Sequence, residues 1–203
     1  MPLAALALVG WHAQAGYALE IVAIEEHWEL RVGLPESDSS SPQVSMVMSP
    51  TGTLAGEFFV FTLNHHSVPA WAPGGLQVQR WNADQVVDSK IGPQEDALHH
   101  ANETVTWVQR LSLSQGQLTF EILGGQSDSW GAFGGQGHLR FAVASQLDSL
   151  NGYRPAISLS ESGISFGGNR VASLTLKKLR WTDSNGVNYE LNAPIDVDAD
   201  LDP

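Results

Sequence analysis

The chain of 203 residues contains no cysteine. That excludes thiol catalysis, thiolate-held zinc, iron–sulfur clusters and disulfide staples. Cations are scarce: 10 Lys plus Arg stand against 22 Asp plus Glu, a formal net charge of −12. No basic patch exists to neutralise phosphates, so DNA, RNA and anionic membrane surfaces are not expected partners. Long apolar runs are missing too. The longest, around residues 2–10, is too short to span a bilayer, so no transmembrane segment is expected. Helical periodicity is also lacking, with no amphipathic stretch of useful length.

A period of two is present instead. Trp28, Leu30 and Val32 alternate with Glu29 and Arg31; Val44, Met46 and Met48 alternate around Ser45. Leu76 with Val78, Val105 with Trp107, Leu111 and Leu113, and Leu118 with Phe120 and Ile122 each share one parity. Residues 58–63 are apolar on both parities, as a strand covered on both faces requires. Gln115-Gly116 reads as one hairpin turn and Asn185-Gly186 as another. Between Leu174 and Trp181 the apolar parity slips at Lys177-Lys178, which predicts a β-bulge. The stretches 33–42, 65–75, 88–102, 124–137 and 147–155 are rich in turn formers and read as loops. Ten to twelve strands in one unit of this size predict an all-β, two-sheet antiparallel β-sandwich, with a jelly roll as the best fit.

Three segments are expected along the chain. Residues 1–17 combine an apolar run with Ala13-Gln14-Ala15, a small-x-small pattern; they read as a secretory leader, although no Lys or Arg precedes the run. Residues 18–192 form the sandwich. Residues 193–203, with Asp196, Asp198, Asp200 and Asp202, form an acidic tail with few apolar anchors. Its alternating carboxylates look like half a calcium loop, but the glycine and final glutamate are missing, so no cofactor beyond weak calcium is expected. The expected location is secreted, periplasmic or at the cell surface.

Two stretches resemble a known superfamily. Residues 104–122 run Thr-Val-Thr-Trp-Val-Gln-Arg-Leu-Ser-Leu-Ser-Gln-Gly-Gln-Leu-Thr-Phe-Glu-Ile, and Gly163-Ile-Ser-Phe-Gly-Gly168 precedes a final strand over 171–181. Both resemble concanavalin A-like and laminin G-like domains. The resemblance implies a jelly roll that binds glycans or proteins through loops at one edge. None of that superfamily's sugar or calcium ligands can be matched to a residue here.

Candidate chemistry is sparse. Glu25-Glu26-His27-Trp28-Glu29 offers carboxylates, but not on the alternate positions that glycosidases of this fold use, and reads as a solvated strand face. Gly163-Ile-Ser-Phe-Gly167 matches the nucleophile-elbow expression without a helix to follow it, and reads as a β-turn. His65-His66 and His99-His100 lie in loops without metal-ligand spacing. Tryptophan is the informative residue, with seven in the chain. Trp28, Trp107 and Trp181 fall on strands and are assigned to the core. Trp71 and Trp130 fall in glycine-rich loops, and Trp81 at a strand end. A loop ring beside amides and carboxylates suits sugar: the ring stacks on C–H faces while the polar groups take hydroxyls. The candidate ligand-binding residues are therefore Asn64, Trp71, Asn82, Asp84, Asp128 and Trp130. The expected function is a non-catalytic exported module that binds carbohydrate or an extracellular protein. A structural or assembly protein of the cell surface is the second reading, and a glycoside hydrolase the third.

Overall fold

Alternating apolar side chains can be buried on one face of a strand only if a second layer covers that face. The computed structural model describes residues 19–34, 42–65, 75–166, 170–192 and 194–197. Within them the chain forms β1 (Ile21–Val32), β2 (Gln43–Met48), β3 (Glu57–Leu63), β4 (Leu76–Asn82), β5 (Gln85–Ile91), β6 (Thr104–Ser114), β7 (Gln117–Ser127), β8 (Gly131–Phe133) and β9 (Arg140–Ala144). A short helix α1 (Pro155–Glu161) follows, then β10 (Gly163–Phe166), β11 (Val171–Asp183), β12 (Asn188–Leu191) and β13 (Ile195–Asp196). All pairings among these strands are antiparallel. The first sheet runs β12-β11-β1-β6-β7-β8, with β13 on β11 and β9 on β7; the second runs β10-β2-β3-β4-β5. The protein is thus an all-β, two-sheet sandwich. No helix among the described residues is long and apolar enough to cross a membrane.

Aromatic rings join the layers. Phe59 of β3 stacks on Phe120 of β7 at 5.0 Å and 3°, and lies 6.2 Å from Phe141 of β9. Phe61 meets the edge of Trp107 at 6.0 Å, and Trp107 stacks on Trp28. The even residues of β1 and β2 and the odd residues of β6 fill this core, as their parity requires.

The two hairpins form where expected. Gln115 and Gly116 take φ of 50° and 69°, the left-handed geometry of a tight two-residue turn. At the other, Asp183 Oδ1 accepts from the N–H groups of Asn185 and Val187. The bulge also falls at the lysines: His27 faces Lys178 while Trp28 faces Leu176, leaving Lys177 as the extra residue. That single insertion puts Leu174, Leu176, Leu179 and Trp181 against the same core.

Five segments differ from expectation. Residues 124–127 continue β7 and 131–133 form β8 where a loop is expected over 124–137. Residues 163–166, expected as a turn, are strand β10 on β2. Residues 85–91 form β5 where a loop is expected from 88. Residues 155–161 are helical. The tail is docked in part: Ile195 and Asp196 pair with β11, and Asp196 Oδ1 accepts from Leu174 N at 3.1 Å. Residues 1–18 and 198–203, including the leader and the last three aspartates, lie outside the described residues.

Candidate functional site

The outer faces of the two sheets differ in chemistry. On the first, one transverse row crosses the strands in register: Glu190 of β12, Arg180 of β11, Glu25 of β1, Arg110 of β6, Glu121 of β7 and Arg140 of β9. Charges alternate along it, with N···O separations from 3.0 Å (Arg180–Glu190) to 3.9 Å (Arg110–Glu25). Hydrogen bonds from Asn192, Arg180 and Lys178 hold the Glu190 carboxyl down to about 2. Glu29 pairs with Arg31 and Lys177. Burial, reinforced by Lys178, lowers the pKa of His27 on this face. Opposite charges directly across strands favour this register over slipped ones. The row leaves no surplus charge to attract an ionic ligand.

The outer face of the second sheet is uncharged. Register places Ser45, Thr62, Gln77 and Ile91 in one row, Val47, Val60, Gln79 and Ser89 in the next, and Phe58, Trp81 and Val86 in the third. None of these ionises. Val47, Phe58 and Val60 form a small cluster of their own, with Leu54 and Trp81 packed on it. The Trp81 ring stacks on Phe58 at 5.8 Å and 15°, and its Nε1 donates to Gln79 Oε1 at 3.3 Å. It is half-buried, so its ring edge is fixed while part of its surface meets solvent. Amides, hydroxyls, aliphatic side chains and one anchored indole make up this face.

The structure separates the residues expected to bind together. Asn64 is fully buried with φ of 58°: its Nδ2 donates to Pro42 O at 2.7 Å and its Oδ1 accepts from Leu98 N at 2.9 Å. It pins two loops and has no solvent-facing atoms. Trp130 is also buried; its ring meets Phe133 edge-on and its Nε1 donates to Asp96 O. It closes the end of the sandwich because Phe133 and Leu139 leave apolar surface there to be covered. Neither side chain offers a platform to a sugar. Asp128 is exposed in the same turn as Trp130. Asn82 and Asp84 are exposed at the β4–β5 turn, beside Trp81, where Ala83 takes φ of 51°. The backbone links Asn64 to Gly75 and Gly75 to Asp96, so Asn64 and Trp130 sit at the start of β4 and Asn82 at its finish. Seven extended residues put about 20 Å between those ends. Trp71 and His66 lie outside the described residues.

One polar centre escaped the sequence reading. Glu26, expected on a solvated strand, shares the parity of Ile24, Trp28 and Leu30 and is fully buried. Its Oε2 accepts from Trp28 Nε1 at 2.9 Å and Gln109 Nε2 at 2.6 Å; its Oε1 accepts a short hydrogen bond from Tyr153 OH. Ser158 of α1 lies beside the same carboxyl. Burial raises the pKa of Glu26 against the opposing pull of these donors, and burial beside Glu26 raises that of Tyr153 well above its ordinary value. No cation among the described residues compensates the carboxyl. The cage holds the 150–161 segment onto β1.

The other motifs occupy structural positions. Gly163–Phe166 follows α1 and enters a strand, the reverse of the strand-to-helix elbow a serine nucleophile needs. His99 stacks on His100 at 4.5 Å, and His99 Nδ1 lies 2.6 Å from Ala97 O. Among the described residues no group of three or more His, Asp or Glu side chains is placed to hold a metal ion. No family model, curated protein or solved structure matches this chain.

Proposed function

We propose that the protein is a non-catalytic binding module for a neutral carbohydrate chain, held on the outer face of the second sheet around Trp81. The observation that carries this reading is the uncharged face itself: a half-exposed indole, fixed by Phe58 and Gln79, beside Gln77 and Ser89, with the exposed Asn82 at the strand end. An indole can stack on the C–H face of a pyranose, and amides and hydroxyls can exchange hydrogen bonds with its hydroxyls without the desolvation cost of a charge. Kinship with concanavalin A-like domains and a place outside the cell belong to the same proposal.

The test is retention on a panel of insoluble neutral polysaccharides. The native protein should be retained on at least one. Trp81→Ala should weaken that retention about tenfold, the loss of about 1.4 kcal/mol expected for one stacked ring. Its thermal unfolding should stay close to native, because Trp81 belongs to the outer cluster and not to the main core. Absence of retention on every polymer would overturn the reading. So would retention that ignores Trp81.

A further inference from the structure

β5 is one of the two edge strands of the second sheet; β10 is the other. Among the described residues β5 pairs with β4 alone, and all seven of its residues are exposed. Val86 and Val87 are each 44 % exposed and Ile91 54 %. Such an edge is a template for another strand unless something blunts it. A bulge does so in its first half, where Arg80 faces Asp88 while Trp81 faces Val86 and Val87 is the extra residue, which leaves residues 88–91 as the regular open stretch. The backbone polarity shows which groups are open. Gly92 N–H donates inward to Leu76 O at 2.7 Å. Backbone groups alternate along a strand, so Lys90 also turns inward while Ser89 and Ile91 turn outward. The outward N–H of Ser89 is taken by the neighbouring Asp88 Oδ1 at 2.8 Å, a local bond that a second strand can replace. The lysine that could guard the edge is drawn away from it: Lys90 Nζ donates to Arg140 O at 2.8 Å and lies over the Phe141 ring.

We propose that β5 pairs antiparallel with β5 of a second copy about a two-fold axis at Ser89, joining the two second sheets edge to edge. The charge pattern selects this partner and register. With Ser89 opposite Ser89, Asp88 of each copy faces Lys90 of the other. The Asp88 and Lys90 positions flank the hydrogen-bonded central pair, where cross-strand side chains approach most closely. Centring the axis one residue earlier puts Asp88 against Asp88, and one residue later puts Lys90 against Lys90. Both alternatives set like charges face to face. In the symmetric pair the outward backbone groups of Ser89 bond to each other across the axis, and Lys90 of each copy exchanges its bond to Arg140 O for Asp88 of the other. This interface uses the Ser89 backbone rather than the Ser89 side chain or Trp81, so Trp81→Ala should leave the dimer intact and the failure of carbohydrate binding would not bear on it.

Sedimentation velocity across a concentration series up to the millimolar range tests it. The native chain should pass from monomer to dimer. Asp88→Lys and Lys90→Asp should each be monomeric at every concentration, since each sets like charges across the axis. Mixing the two variants should restore the dimer, because one copy then presents lysine at both positions and the other presents aspartate at both. Circular dichroism on each variant checks that it is folded. A native chain that stays monomeric overturns the proposal. A dimer that survives either single substitution overturns it as well, and assigns association to another surface.

Discussion

Replacing Glu26 with alanine should destabilise the fold by about 3–5 kcal/mol, because it strips the acceptor from several buried donors at once. Trp28 Nε1, Gln109 Nε2 and Tyr153 OH would each be left without a partner in the core. Urea unfolding of the variant measures the loss; a cost under about 1 kcal/mol would show that the cage relaxes or admits water. The same carboxyl sets a pH dependence. Its pKa in the fold is raised by burial, so the folded protein holds the proton more tightly than the unfolded chain. The stability tied to Glu26 is then present in acid and lost as pH rises through the folded value. His27, beside it on the opposite face, has a lowered pKa and acts with the reverse sign, adding stability as pH rises through the histidine range. Comparison with Glu26→Gln isolates the first effect. The stability of the native chain relative to this variant should fall over the interval that starts at the ordinary carboxyl pKa of 4.5 and runs upward. A relative gain over that interval would contradict the direction given by burial.

Phe59→Ala should cost a similar amount, about 3–5 kcal/mol. Phe59 is fully buried between Phe120 and Phe141, and both neighbours belong to the opposite sheet. The truncation opens a cavity at the centre of the sandwich, walled by two rigid sheets that cannot close on it. Phe59→Leu should lose markedly less, since most of the volume is kept. An unchanged denaturant slope in both variants would show that the unfolded state is the same and the loss is one of packing. Equal costs for Leu and Ala would instead locate the effect in the stacked rings rather than in the void.

Strands with contrast between their two faces were legible in the sequence. Trp28, Leu30 and Val32 announce β1, Met46 and Met48 announce β2, and the parity slip at Lys177-Lys178 places the bulge within two residues, of which the register singles out Lys177. Elements without contrast were not. β5 reads Gln-Val-Val-Asp-Ser-Lys-Ile and buries none of it, so no period could emerge. The helix Pro155–Glu161 spans under two full turns, too few for a 3.6-residue period, and its one buried residue is the polar Ser158. Glu26 was hidden for another reason: its donors Gln109 and Tyr153 lie 83 and 127 residues away. Of the candidate binding residues, Asn82 and Asp84 are exposed beside an anchored ring. Asn64 and Trp130 are polar and aromatic residues in loops that turn inward to close the sandwich. Composition alone does not distinguish a lid from a platform.

The strand order also bears on synthesis. The meander β2-β3-β4-β5 lies within residues 43–91 and can form as soon as that segment has emerged. The first sheet cannot. Its strand β1 is made first but sits between β6 and β11, and Glu25 finds Arg180 only when residue 180 is available. Until β6, β7 and β9 have emerged, the inner face of the meander lacks the Trp107, Phe120 and Phe141 rings that cover Phe59 and Phe61. Such delayed, non-local pairing is slow and leaves apolar surface open to other chains. A holding partner that shields this face during translation would gain its purchase in that interval, and would lose it when β7 and β9 bring Phe120 and Phe141 onto Phe59.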